Sequence, residues 1–115
     1  MSDIIIYHNG ECSKSRGALE LLIEKDIPYI ARWYLSDPLS ESELRSLLDK
    51  LKMKPSEIVR KNEPLYIEQF QDRELNEDEW LHVLLDNPVL MERPIVAKGN
   101  TALVARPAEK VLNLL

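Results

Sequence analysis

One cysteine, Cys12, is the whole thiol content of this 115-residue sequence, so no disulfide can form within the chain and the fold stands without one. Positive charge is also in short supply. Fifteen Lys and Arg are dispersed among twenty Asp and Glu, for a net charge of −5, and a nucleic acid or an anionic membrane would meet net repulsion with no basic patch to overcome it. No apolar run approaches the ~18 residues of a membrane span. The opening "MSDIIIYHNG" lacks the basic segment and long apolar core of a secretory signal. The expectation is a protein of the reducing cytoplasm with no nucleic-acid or membrane partner.

Other chemistries are excluded by missing patterns. His8, Cys12 and the distant His82 do not make the spaced set of four ligands that structural zinc requires, and no carboxylate cluster completes one, so no metal is expected. There is no Gly-x-Ser-x-Gly elbow and no Gly-rich phosphate loop ending in Lys-Ser/Thr. Internal repeats and low-complexity tracts are absent. At 44% apolar and 30% charged the composition is that of a globular fold, and 115 residues suit a single domain spanning 1–115 better than two marginal cores. No heptad pattern or unpaired apolar helix is evident, which favours a monomer.

What is present reads as alternating elements. "DIIIYH" is a short β-branched run suited to a strand covered on both faces. "SKSRGALELLIEK" follows as a helix with Ala18, Leu19, Leu22 and Ile23 on one face, and Gly17 within it implies a close approach. "PYIARWYL" reads as a second strand, giving β-α-β with a crossover long enough for parallel pairing. In "LSESELRSLLDKLKM", Ser40 and Glu43 form a capping box ahead of the Leu44, Leu47, Leu48, Leu51 stripe. "PSEIVRKNE" is a short helical turn opened by Pro55, residues 61–75 read as loop, and "LNEDEWLHVLLDNP" is a helix capped by Asn76 with Glu79 that stops before Pro88. "RPIVAKGNTALVARPAEKVLNLL" reads as strand, Gly-Asn turn, strand, then a helix with Pro107 in its first turn. The economical architecture is α/β: a mixed four-stranded sheet flanked by helices, with a helical insertion at about 38–88.

The lone thiol has two readings. A single cytosolic cysteine is ordinarily a small buried hydrophobe. Cys12, however, follows a strand end, where ligands collect in open α/β sheets, and precedes helical N–H groups that lack intrahelical partners and favour a thiolate. Its neighbours "CSKSR" bring hydroxyls and two cations, Lys14 and Arg16, rather than apolar company, while Glu11 acts the other way. His8, four residues upstream, can serve as a proton or hydrogen-bond donor or be an ordinary strand-end polar residue.

These residues resemble a known family. "YHNGECSKSR", "VRKNE", and "ERPIV" followed by "ARPAEKVL" are similar, in order and over essentially the whole chain, to the glutaredoxin-linked arsenate reductases, whose fold is thioredoxin-like with a helical insertion. The resemblance implies a catalytic Cys12, supporting roles for His8, Asn9 and Ser15, and an oxyanion site from Arg60, Arg93 and Arg106. It also implies a cis-proline at Pro94. One departure is visible: the family has proline after His-Asn, and here stand Gly10 and Glu11. Without the resemblance, Arg60 reads as a solvated helix end, and Arg93 and Arg106, each before proline, read as strand borders.

The implied chemistry is attack of the Cys12 thiolate on arsenate, with the arginines holding its oxygens. Reduction to arsenite needs two electrons, and a chain with one thiol must take the second sulfur from outside. The resemblance names glutathione as co-substrate and glutaredoxin as partner, with no bound cofactor. Two alternatives remain: a binding protein of the same fold that contacts RNA polymerase, and a glutathione-dependent thiol-disulfide reductase. The regulator branch commonly carries a Cys-x-x-Cys pair, whose second position here is Ser15.

Overall fold

A computed structural model describes residues 4–8 and 13–114, and for residues 13–15 the backbone alone. Contacts divide the chain into two compact units, Met1–Asp37 with Arg93–Leu115, and Pro38–Glu92.

The first unit is built on a four-stranded sheet in the order β2-β1-β3-β4. Its strands are β1 (Ile4–Tyr7), β2 (Ile30–Arg32), β3 (Ile95–Lys98) and β4 (Thr101–Val104). β1 pairs in parallel with β2 and antiparallel with β3, and β3 and β4 form the hairpin expected around Gly99 and Asn100. Helix α1 (Ser13–Glu24) makes the crossover. One apolar cluster joins Ile4, Ile6 and Val96 of the sheet to Ala18 and Leu22 of α1 and to Val111. The period-two alternation of the strands and the i, i+4 spacing of the helix thus meet on one face.

Two expectations change here. Ile23 is 57% exposed, because it lies about 140° round the helix from Ala18; Leu21, on the opposite flank, packs against the cluster instead. The C-terminal segment Ala108–Leu114 is a 3-10 helix, not an α-helix. Ala108, Val111 and Leu114 all join the cluster, and their spacing matches a turn of three residues. The close approach expected at Gly17 is to the same segment: a Cβ there would stand 3.4 Å from the Ala108 Cβ, at the near edge of ordinary van der Waals contact.

Gly99 has φ +58° with open space where a side chain would go. A Gly99→Ala variant is therefore penalised by backbone conformation alone and should lose about 1 kcal/mol of stability in urea unfolding.

The second unit is helical. α2 (Glu41–Leu51) carries the complete Ser40–Glu43 capping box and buries Leu44, Leu47, Leu48 and Leu51. α4 (Glu77–Asp86) carries the Asn76–Glu79 box and buries Trp80, Leu81 and Leu84. Pro55–Ile58 forms the expected short turn. Within the supposed loop 61–75, Pro64–Gln69 forms a further helix, α3. It is too short to show a periodic stripe and buries none of its own residues, but Tyr66 stacks on Trp80 with ring centroids 6.1 Å apart.

On the surface, α2 and α4 are bridged by charge. Arg45 pairs with Glu41 at 3.1 Å and with Asp78 at 3.0 Å, and His82 Nε2 lies 3.4 Å from Glu41. The Asp78 carbonyl, 2.9 Å from His82 Nδ1, and then the Asp78 and Glu41 carboxylates raise the His82 pKa above its ordinary value. The protonated ring is therefore the stabilising form. Its contribution is complete below the unfolded value of about 6.5 and fades as pH rises through the higher folded value. Urea midpoints of His82→Gln should fall short of the wild type near pH ~5.5 and converge with it by pH ~8.5.

Candidate functional site at one end of the sheet

Strand register gathers the site residues of the first unit. Tyr7, the last residue of β1, pairs with Arg32 of β2 and with Ile95 of β3, and Ile95 pairs with Val104 of β4. One step further along each strand come His8, Trp33, Pro94 and Ala105, so all four lie at one end of the sheet. Two hydrogen bonds continue the ladder there: His8 N donates to the Arg32 carbonyl at 2.9 Å, and Ala105 N to the Pro94 carbonyl at 2.8 Å. Arg93 and Arg106 adjoin these positions. Both precede a proline across a cis peptide bond, Arg93–Pro94 and Arg106–Pro107. α1 begins at Ser13, five residues after His8, and Cys12 immediately precedes it in sequence.

Two polar atoms at this end are buried without a hydrogen-bond partner among the described residues, His8 Nδ1 and Arg93 Nε. Buried polar groups are nearly always paired, so such atoms mark places where a ligand or functional group is to be met. His8 is 2% exposed, and burial, then the nearby Arg16 charge, lowers its pKa below the ordinary imidazole value. The ring is thus held neutral at physiological pH. Arg93 and Arg106 are each half-buried. Guanidinium groups remain charged and donate in pairs, the property an oxyanion requires.

Arg60 belongs to the helical unit, and its surroundings there are defined. Its NH2 group pairs with Glu63 at 3.2 Å and its NH1 group donates to the Val89 carbonyl at 3.2 Å. Its backbone N–H donates to the Leu90 carbonyl at 2.7 Å. It is therefore a tethered, charge-paired arginine rather than a solvated helix end. The Glu63 partner stands three residues on, inside "VRKNE", and was visible in the sequence.

Cys12 and Asn9 lie outside the described residues, as does the side chain of Ser15, whose backbone belongs to the first turn of α1. Sequence reasoning missed Trp33, read there only as part of a strand. β2 ends at Arg32, and the Trp33 ring packs on that of His8. Among the described residues no three His, Cys, Asp or Glu side chains gather as a metal site, and no helix is long and apolar enough to cross a membrane.

Comparison with known proteins places this geometry among relatives. The ArsC family model matches residues 7–114. The uncharacterized protein YfgD of Escherichia coli K12 is 42% identical over 112 residues, 96% of this chain and 94% of that one. An arsenate reductase of Neisseria meningitidis is 40% identical over 113 residues, 96% and 97% of the two chains. Among solved structures, an arsenate reductase from Vibrio cholerae superposes with a TM-score of 0.91 at 37% identity, covering 97% of each chain, and its fold is the thioredoxin-like one of the mixed sheet described above.

Proposed function

We propose that this chain, which belongs to the ArsC family, reduces arsenate to arsenite through the Cys12 thiolate, using glutathione and glutaredoxin as the source of electrons. What supports the reading is the pair of buried polar atoms that have no partner among the described residues, His8 Nδ1 and Arg93 Nε, at the sheet end where His8 stands four residues before Cys12 in sequence. The names carried by relatives such as the Neisseria meningitidis protein supply the substrate.

In the proposed reaction the Cys12 sulfur attacks arsenic and displaces one oxygen as water, forming a covalent cysteine–arsenate adduct. Arg93 and Arg106 hold the remaining oxygens and offset the charge that develops on them. Arg60 is retained as a third candidate cation on the strength of the "VRKNE" motif alone. His8, Asn9 and Ser15 support the sulfur. Arsenic then gains two electrons as two external thiols become one disulfide, and arsenite leaves while Cys12 returns to its starting state. The external thiols are required because the chain has a single cysteine. The proposal takes the protein as a monomer of the glutathione-supplied cytoplasm.

The test is arsenite formation from arsenate in the presence of glutathione and glutaredoxin, run beside a glutathione mixed-disulfide assay and an RNA polymerase pull-down. Catalytic arsenite release that stops when glutathione is omitted supports the reductase. Turnover confined to the mixed disulfide, or polymerase capture with no turnover, replaces it with one of the alternatives.

A further inference from the structure

The buried His8 ring has a neighbour that the reaction above does not use. The Trp33 indole packs on it edge-to-face, with centroids 4.7 Å apart and planes at 76°, a favoured geometry for aromatic pairs. Trp33 is 50% exposed while His8 is 2% exposed, so the pair joins a ring open to water with one sealed from it. Trp33 is not among the residues of the cluster around Ile6 and Leu22.

Its backbone is well tied. The Trp33 carbonyl accepts from the N–H groups of Ser36 at 3.1 Å and Asp37 at 2.8 Å, and from the Ser36 hydroxyl at 3.2 Å. Arg32 closes the turn, its Nε donating to the Asp37 carbonyl at 2.9 Å and lying 3.0 Å from the Asp37 carboxylate. The indole is therefore presented by a braced turn at the sheet end, and not by a long loop.

We propose that Trp33 is a positioning residue of the thiol site: its indole fixes the orientation of the His8 imidazole and keeps water from the ring. This rests on the reading that His8 serves Cys12. A buried Nδ1 without a partner among the described residues is a site that water would occupy if it had access, and the indole packs against the ring that carries it. Among the described side chains, Arg16 on α1 acts on the ring by its charge, and Arg32 with its partner Asp37 and Arg93 stand beside the ends of β2 and β3. Burial and Arg16 together hold the ring neutral. Admitting water removes the first of these effects and raises the imidazole pKa toward about 6.5.

The experiment uses the full chain in a His82→Gln background, which leaves one of the two histidines to follow by NMR titration. Trp33→Ala should raise the His8 midpoint by roughly 0.5 or more, and Trp33→Phe, which keeps an aromatic ring, should retain the wild-type midpoint. Trp33→Leu replaces the alanine variant should that one fail to fold. The second readout is the pH profile of iodoacetamide alkylation of the sole thiol. Below pH ~6.5 a charged imidazole favours the thiolate, so Trp33→Ala should react faster than the wild type there, and Trp33→Phe should not. An unmoved His8 midpoint, or an unmoved alkylation profile beside a moved midpoint, overturns the proposal. Neither readout uses arsenate, so absence of arsenate reduction with both shifts present faults the activity and leaves the positioning role standing.

Discussion

Cys12→Ser is expected to reduce glutathione-dependent arsenite formation to the uncatalysed background. A serine hydroxyl is essentially un-ionised near neutral pH, whereas even an unperturbed cysteine is a few per cent thiolate at pH ~7 and intrinsically far more nucleophilic. Nothing else in the chain can take over, because no second thiol exists. The loss should appear in kcat as well as in kcat/KM, since the covalent step itself disappears and substrate affinity alone cannot restore it. Measured arsenite release by the variant, with glutathione and glutaredoxin saturating, decides the matter; activity within a few-fold of wild type would refute the nucleophile assignment.

The second large effect is expected at Arg93. Removal of one preorganised oxyanion donor typically costs about 10²–10³ in rate, and Arg93→Ala should lower kcat/KM for arsenate by that order. Arg93→Lys should recover only part of it, because an ammonium restores charge without the planar, paired donors of a guanidinium. An unchanged arsenate dependence would return Arg93 to a strand-border role. Arg60 makes an instructive contrast. Its guanidinium already engages Glu63 and Val89, so Arg60→Ala removes contacts inside the helical unit as well, and its activity data need a stability measurement beside them.

Much of the fold was legible because its signals are local. The two capping boxes, Ser40 with Glu43 and Asn76 with Glu79, are formed as their spacing implies. The Gly-Asn turn joins β3 to β4, since few residues other than glycine suit the positive φ at position 99. What failed to show were features fixed by partners distant in sequence. α3 is held against Trp80 by Tyr66, and no stripe within its own six residues announces it. The terminal 3-10 helix packs Ala108 beside Gly17 of α1, a neighbour about ninety residues away in sequence.

The site divides along the same line. The residue types were readable, and the charge and thiol chemistry followed from them. That His8, Arg93 and Arg106 collect at one end of a sheet required the registers Tyr7 with Ile95 and Ile95 with Val104, which no single segment encodes. The Trp33–His8 ring contact likewise depends on β2 ending one residue earlier than its tryptophan. A run of β-branched and aromatic residues does not disclose that end point.

The ionisation of Cys12 offers the most direct test, and the sole thiol makes it clean. Thiolate absorbance near 240 nm, titrated in the wild type and subtracted against Cys12→Ser, reads one group. A nucleophilic cysteine should ionise below the ordinary thiol value, with a midpoint in the range of roughly 3.5 to 7.5. A midpoint at or above about 8.5, the value of an unperturbed thiol, would contradict the account.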